Sequence, residues 1–147
     1  MSFTEQASIV INRPVQDVWE YVIRNNGWRR PYVLEVNKLT EGKIEAGTKY
    51  ENKVNLAGNK MSIINEVIEI DPPTYLSWKQ ASEEGPMTTI EGRYILEPME
   101  GKTHFTLSAD YELKGLAKLL TPIMRWQTRK KIYPKLLKQL KEILEND

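Results

Sequence analysis

Few side chains in this 147-residue sequence offer reactive chemistry. It contains no cysteine, which removes thiolate nucleophiles, disulfides and thiolate metal sites together. The one histidine, His104, is the first candidate for a general base, but one histidine makes neither a two-histidine metal site nor a multi-step relay. It alternates with Phe105 and Leu107, which puts it on the polar face of a strand, away from any enclosed substrate. Asp71 and the pair Glu83-Glu84 fall in turn sequences with no partner at metal-ligand spacing. Glu35 and Glu66 are the strand carboxylates whose parity leaves an inward position open, where burial would raise the pKa and make an acid. The eight glycines are scattered as turn residues, so no phosphate-cradling loop is present. No metal or cofactor is expected, and no catalytic residue is assigned.

Recognition chemistry is better represented. Trp19, Trp28, Trp78, Trp126, Tyr32, Tyr50, Tyr94 and Tyr111 are spread over helices and inward strand positions. Ordinary core packing accounts for at least half of them; the rest offer an apolar body with one hydrogen-bonding tip, suited to a flat, oxygenated ligand. Asn52 and Gln80 share inward parity with apolar neighbours, and a polar group on a buried face needs a partner, which a ligand oxygen could supply. The expected lining is Trp28, Tyr50, Asn52, Trp78, Gln80, Tyr94, Phe105, Leu107 and Tyr111 from the first helices and the sheet. Leu120, Ile123, Met124 and Gln127 would join them from a C-terminal helix. Arg29 and Arg30, near the expected entrance, could attract a ligand carboxylate.

The elements that must position these residues are legible as periods. Residues 3–11 alternate as a strand. Asn12 can cap the helix that follows, with Pro14 in its first turn; Val15, Val18, Trp19, Val22 and Ile23 form its apolar face, and Asn25-Asn26-Gly27 ends it. From there to residue 113 the chain reads as strands and turns. Turns are marked by Glu41-Gly42-Lys43, Ala57-Gly58-Asn59, Asp71-Pro72-Pro73-Thr74, Glu83-Glu84-Gly85-Pro86 and Met99-Glu100-Gly101. Ile90, Tyr94 and Leu96 share one face of their strand; Thr103, Phe105, Leu107, Ala109, Tyr111 and Leu113 share the inner face of the last. Residues 116–144 then carry a helical apolar stripe interrupted at Pro134, where a kink is expected. Hairpin-length connections predict an antiparallel sheet of about seven strands, with two short helices after the first and a long C-terminal helix over the apolar face: an α+β fold. No linker or repeat divides residues 1–147, so one domain is expected.

The run Ser8-Ile9-Val10-Ile11-Asn12-Arg13-Pro14-Val15-Gln16-Asp17-Val18-Trp19 resembles the opening of helix-grip proteins of the START and birch-pollen-allergen superfamily. Trp28, Gly42 with Gly47, Asp71-Pro72-Pro73 before Leu76 and Trp78, Gly101-Lys102-Thr103, and residues 136–145 extend the likeness over nearly the whole chain. Within the superfamily the sequence is most similar to the polyketide cyclase/dehydrase-like (SRPBCC) group. The resemblance implies a curved sheet gripping the long helix around a mostly apolar cavity. It also implies lipids, polyketides, hormones, quinones or flavonoid-like molecules as ligands, with cyclisation or dehydration in some members.

Lys+Arg 21 against Asp+Glu 20 leaves a net charge of +1, which argues against a dedicated nucleic-acid binder. Arg125, Arg129, Lys130, Lys131, Lys135, Lys138 and Lys141 read first as a solvated helix face, with a membrane-surface or RNA-facing patch as the sharper alternative. No segment reaches the roughly 18 apolar residues of a spanning helix, so integral membrane association is not expected. The N-terminus lacks a signal-peptide pattern, and the cytoplasm is the expected compartment. The functional expectation is binding of a small apolar or amphipathic ligand, leaning away from an enzyme. A cyclase or dehydratase without metal is the alternative, and a cochaperone-like partner-binding module the third.

Overall fold

In a computed structural model, residues 2–25, 27–56, 58–82 and 87–146 are described, except for the side chain of Leu56. The expected turn residues Asn26, Ala57 and Glu83, Glu84, Gly85 and Pro86 therefore lie outside the described residues. Seven strands form one antiparallel sheet: β1 (Ser2–Ile11), β2 (Val33–Lys38), β3 (Lys49–Leu56), β4 (Asn59–Asp71), β5 (Tyr75–Gln80), β6 (Met87–Met99) and β7 (Lys102–Leu113). Their order is β1-β7-β6-β5-β4-β3-β2: a meander from β2 to β7, with β1 returning to pair with β7 from Ser2–Glu112 to Ile11–Thr103.

The alternation read in β7 holds in side-chain direction, though Ser108 of the polar face is buried too, its hydroxyl accepting from Arg93. Thr103, Phe105, Leu107, Ala109 and Leu113 are buried, while His104 meets Glu97 at 3.4 Å on the outer face. Register slips reset parity elsewhere, one of them between Val33 and Glu35 on β2. Between Thr89 and Glu91 the register slips, so Ile90 does not share the buried face of Tyr94 and Leu96 but stands exposed. Between Val67 and Glu69 another slip turns Ile68 outward and brings Ile70 to the same side as Asn65 and Val67.

Helix α1 (Val15–Arg24) follows β1 and buries Val18, Trp19 and Val22, each contributing about 1.5–3 kcal/mol by leaving water. The expected Asn12 cap is not formed. Pro14 is the cap residue, its carbonyl accepts from the Asp17 and Val18 amides, and the Asn12 amide donates to Glu145. The second short helix is a single 3₁₀ turn, Gly27–Arg29, which buries Trp28.

The C-terminal helix is four segments in series: a 3₁₀ turn (Gly115–Leu120), α2 (Thr121–Gln127), a π segment (Thr128–Ile132) and α3 (Tyr133–Glu145). The π segment ends beside Pro134. A proline there has no N–H to donate and its ring crowds the carbonyl four residues back, so a widened turn just before it relieves the conflict. Tyr133, Leu136, Leu137, Leu140 and Leu144 of α3 join Ile11, Trp28, Phe105 and Leu107 in the hydrophobic core. No helix among the described residues is long and apolar enough to cross a membrane.

Candidate functional site

A cavity of about 720 Å³ lies between α1 and the inner faces of β2 to β6, inside the roughly 300–1,000 Å³ range of small-molecule sites. Its wall is apolar: Trp19, Val22 and Ile23 from α1, Val36, Ile44, Val67, Ile70, Leu76 and Trp78 from the strands and their loops. Asn52, Asn65, Tyr50 and Tyr94 place polar groups inside it.

Its charged lining residues are Arg24, Arg29, Lys38 and Lys43, all cationic. Arg24, Lys38 and Lys43 are exposed, whereas Arg29 is half-buried on the 3₁₀ turn. Arg29 has no carboxylate partner among the described residues. Its charge reaches the interior, lowering the pKa of Tyr94, Tyr111 and Tyr133 against the larger upward push of burial. Tyr50 is likewise raised by burial. The phenols lining the cavity therefore remain protonated at neutral pH and act as hydrogen-bond donors.

Two local features shape the wall. Gly92 on β6 lets the Trp78 indole lie flat across the strand, since a Cβ there would sit 2.4 Å from the ring. Trp78 and Tyr94 then pack with ring centroids 4.8 Å apart and planes tilted by 57°. On β3, Asn52 is 5% exposed and its Oδ1 is buried without a hydrogen-bond partner. Leaving such an atom unpaired costs about 1–3 kcal/mol, so a ligand donor reaching it would recover that cost.

The expected lining divides into three groups. Tyr50, Asn52, Trp78 and Tyr94 meet in the cavity. Trp28, Phe105 and Leu107 are core instead: Trp28 and Phe105 pack edge to face at 5.9 Å. Tyr111 is bonded hydroxyl to hydroxyl with Tyr133, and Gln80 donates to the Ser82 carbonyl at 2.8 Å and accepts from the Thr89 amide at 3.0 Å. Leu120, Ile123, Met124 and Gln127 do not line the cavity; Leu120 and Ile123 point into solvent and Met124 and Gln127 are half-buried. The expectation failed because neither the 3₁₀ turn that carries Leu120 nor α2 buries a residue. Arg30 lies on an outer groove with Glu35 and Lys53, away from the cavity.

Neither acid whose parity was open faces the cavity. Glu35 pairs with Lys53 at 3.1 Å on the outside, and Glu66 lies between the inward Asn65 and Val67. The buried carboxylate is Glu5, 4% exposed, which holds Arg125 at 2.7 Å and Arg129 at 4.0 Å. Sequence reasoning missed it, although its parity with Phe3, Ala7, Ile9 and Ile11 was a signal that could have found it. Among the described residues, no group of three or more His, Asp or Glu gathers as metal ligands would.

Solved structures with this architecture include a Thermus thermophilus protein, at 20% identity, TM-score 0.78 and 98% coverage of both chains. The Zhui aromatase/cyclase from Streptomyces sp. R1128 matches at 14% identity and TM-score 0.79, over 99% of this chain and 95% of that one. Ara h 8.0201 matches at 16% identity and TM-score 0.73 over 100% of both. At such identities the likeness concerns the fold. No curated protein matches the sequence. The helix-grip architecture and the match of residues 3–145 to one family model agree: the chain belongs to the family described as polyketide cyclase / dehydrase and lipid transport.

Proposed function

We propose that the protein binds an amphipathic carboxylic acid, with its apolar body against Trp19, Ile44, Val67, Leu76 and Trp78 and its carboxylate at Arg29. The observation that carries this reading is the pairing of an apolar wall with charged lining residues of one sign. A half-buried guanidinium without a carboxylate partner offers two parallel N–H donors to a ligand carboxylate. Tyr94 and Asn52 add a donor and an acceptor, which suit a chain bearing a carbonyl or a hydroxyl. The family description and the aromatase/cyclase fold likeness support a lipid- or polyketide-like body. On this reading residues 1–147 act as one binding domain, and the cytoplasm is its compartment.

The test is thermal unfolding of the purified chain with long-chain fatty acids, hydroxy acids, quinones and flavonoids. A ligand at a hundredfold its Kd adds about 2.7 kcal/mol of stability, so acids should raise Tm by several degrees and neutral analogues less. No shift with any class would defeat the proposal.

A cyclase or dehydratase is the second reading, favoured by the protonated phenols of Tyr50 and Tyr94 in the cavity. Such an enzyme would hold a reactive chain in a folded geometry while a phenol donates a proton to a carbonyl oxygen. Turnover of a poly-β-ketone that Tyr94→Phe abolishes without loss of binding would favour it over simple carriage.

A further inference from the structure

The first part of the C-terminal helix carries an exposed apolar stripe. Leu116 is 86% exposed, Leu119 78%, Leu120 49%, Ile123 55% and Trp126 47%. Steps of three and four residues put them along one face. Neither the 3₁₀ turn nor α2 buries a residue. Single exposed apolar side chains are ordinary; a continuous row marks an interaction surface.

The charge around the row is one-sided. Nine of the 21 lysines and arginines fall between Lys114 and Lys141, a stretch with no aspartate or glutamate, which leaves 12 basic against 20 acidic residues in the rest of the chain. The near-neutral total conceals this division. Glu5 takes Arg125 and Arg129. Among the described residues, Lys118, Lys130 and Lys131 have no carboxylate partner, and the Lys131 ammonium sits 4.9 Å from the centre of the Trp126 ring.

We propose that this row docks on an anionic phospholipid surface. Leu116, Leu119, Ile123 and Trp126 enter the boundary between headgroups and acyl chains, while Lys118, Lys130 and Lys131 meet lipid phosphates. Trp126, with an apolar ring and one N–H, suits that depth. Charge complementarity selects this occupant. A second copy docked face to face would set the same basic segment against itself. A nucleic acid would use the lysines but offers nothing to the leucines, and a single tryptophan makes no stacking row. The surface shares no residue with the cavity, so the proposal stands apart from the ligand reading.

The full chain is mixed with vesicles of phosphatidylcholine alone or with one third phosphatidylglycerol, and partition is read by sedimentation and tryptophan emission. Partition should be at least roughly tenfold stronger onto the anionic vesicles, fall in high salt, and shift emission to the blue. Leu119→Ser with Ile123→Ser, and separately Lys130→Glu with Lys131→Glu, should each weaken it by roughly tenfold or more without moving Tm, since all four residues are exposed. Equal partition onto neutral vesicles, or partition indifferent to both pairs of substitutions, overturns the proposal. So does absence of vesicle binding, whether the chain instead forms a dimer that Ile123→Ser dissociates or binds single-stranded RNA through Lys130 and Lys131.

Discussion

In α3, Leu136, Leu137, Leu140 and Leu144 are buried in the core, whereas Leu116, Leu119, Leu120 and Ile123, which also recur at steps of three and four, stand in solvent. The sequence pattern of the two halves is alike; their surroundings differ. The core-facing row of α3 packs with Ile11, Trp28 and Phe105, and the helix is further tied down by the Gln139 amide donating to the Trp28 and Arg30 carbonyls. The earlier half is tied to β1 by Arg125 and Arg129 on Glu5 and by Arg125 over the Phe3 ring, with its apolar row exposed. Period identifies a helix face. It does not identify what covers that face, which depends on surfaces brought up from other parts of the chain.

The sharpest way to break this contrast is truncation at matched positions. Leu140→Ala should cost about 2–5 kcal/mol, as a fully buried leucine leaves a cavity, whereas Leu119→Ala should stay within about 0.5 kcal/mol. Urea unfolding of both variants checks this, and equal losses would mean that the earlier half is packed in solution. Next in size is Gly92→Ala. Its Cβ collides with Trp78, so the indole must move, with a loss of about 1–3 kcal/mol and weaker binding of any cavity ligand by titration.

The Tyr111–Tyr133 pair lies outside the cavity lining and is smaller in effect. Burial raises both phenols above the ordinary value of 10.0, so their contribution is complete below pH 10 and is lost as pH rises toward the folded-state values. Tyr133→Phe should cost about 1 kcal/mol at neutral pH by unpairing the Tyr111 hydroxyl and flatten the alkaline limb of a Tm-against-pH curve. An unchanged limb would contradict the assignment. Asn52→Val has the opposite sign: removing an unpaired buried oxygen should raise the stability of the free protein by about 1 kcal/mol, read as a higher Tm.

Much of the fold was legible because alternation and turn residues report local geometry. β7, the apolar face of α1 and the core leucines of α3 all follow it. The residues that escaped it share one cause, long-range packing. Ile90 turned outward at a bulge that no local pattern marks, and the Gln80 amide is bonded to Ser82 just beyond its own strand and to Thr89 of β6. Tyr50, Asn52, Trp78 and Tyr94 were found by strand parity. Arg24, Lys38, Lys43 and Ile44 line the cavity from an exposed helix end, a strand end and a loop. Their sequence signals are those of ordinary surface residues, and only the curvature of the sheet brings them to one mouth.

The central claim is that an acid group is read at Arg29, and affinity for a matched pair of ligands tests it most directly. Kd is measured for a long-chain carboxylic acid and its methyl ester, with the native chain and with Arg29→Gln. The account predicts that the native chain prefers the acid by roughly tenfold or more, as a charge-assisted contact requires, and that Arg29→Gln binds acid and ester alike. Equal affinities in the native chain, or a preference that survives Arg29→Gln, would contradict it.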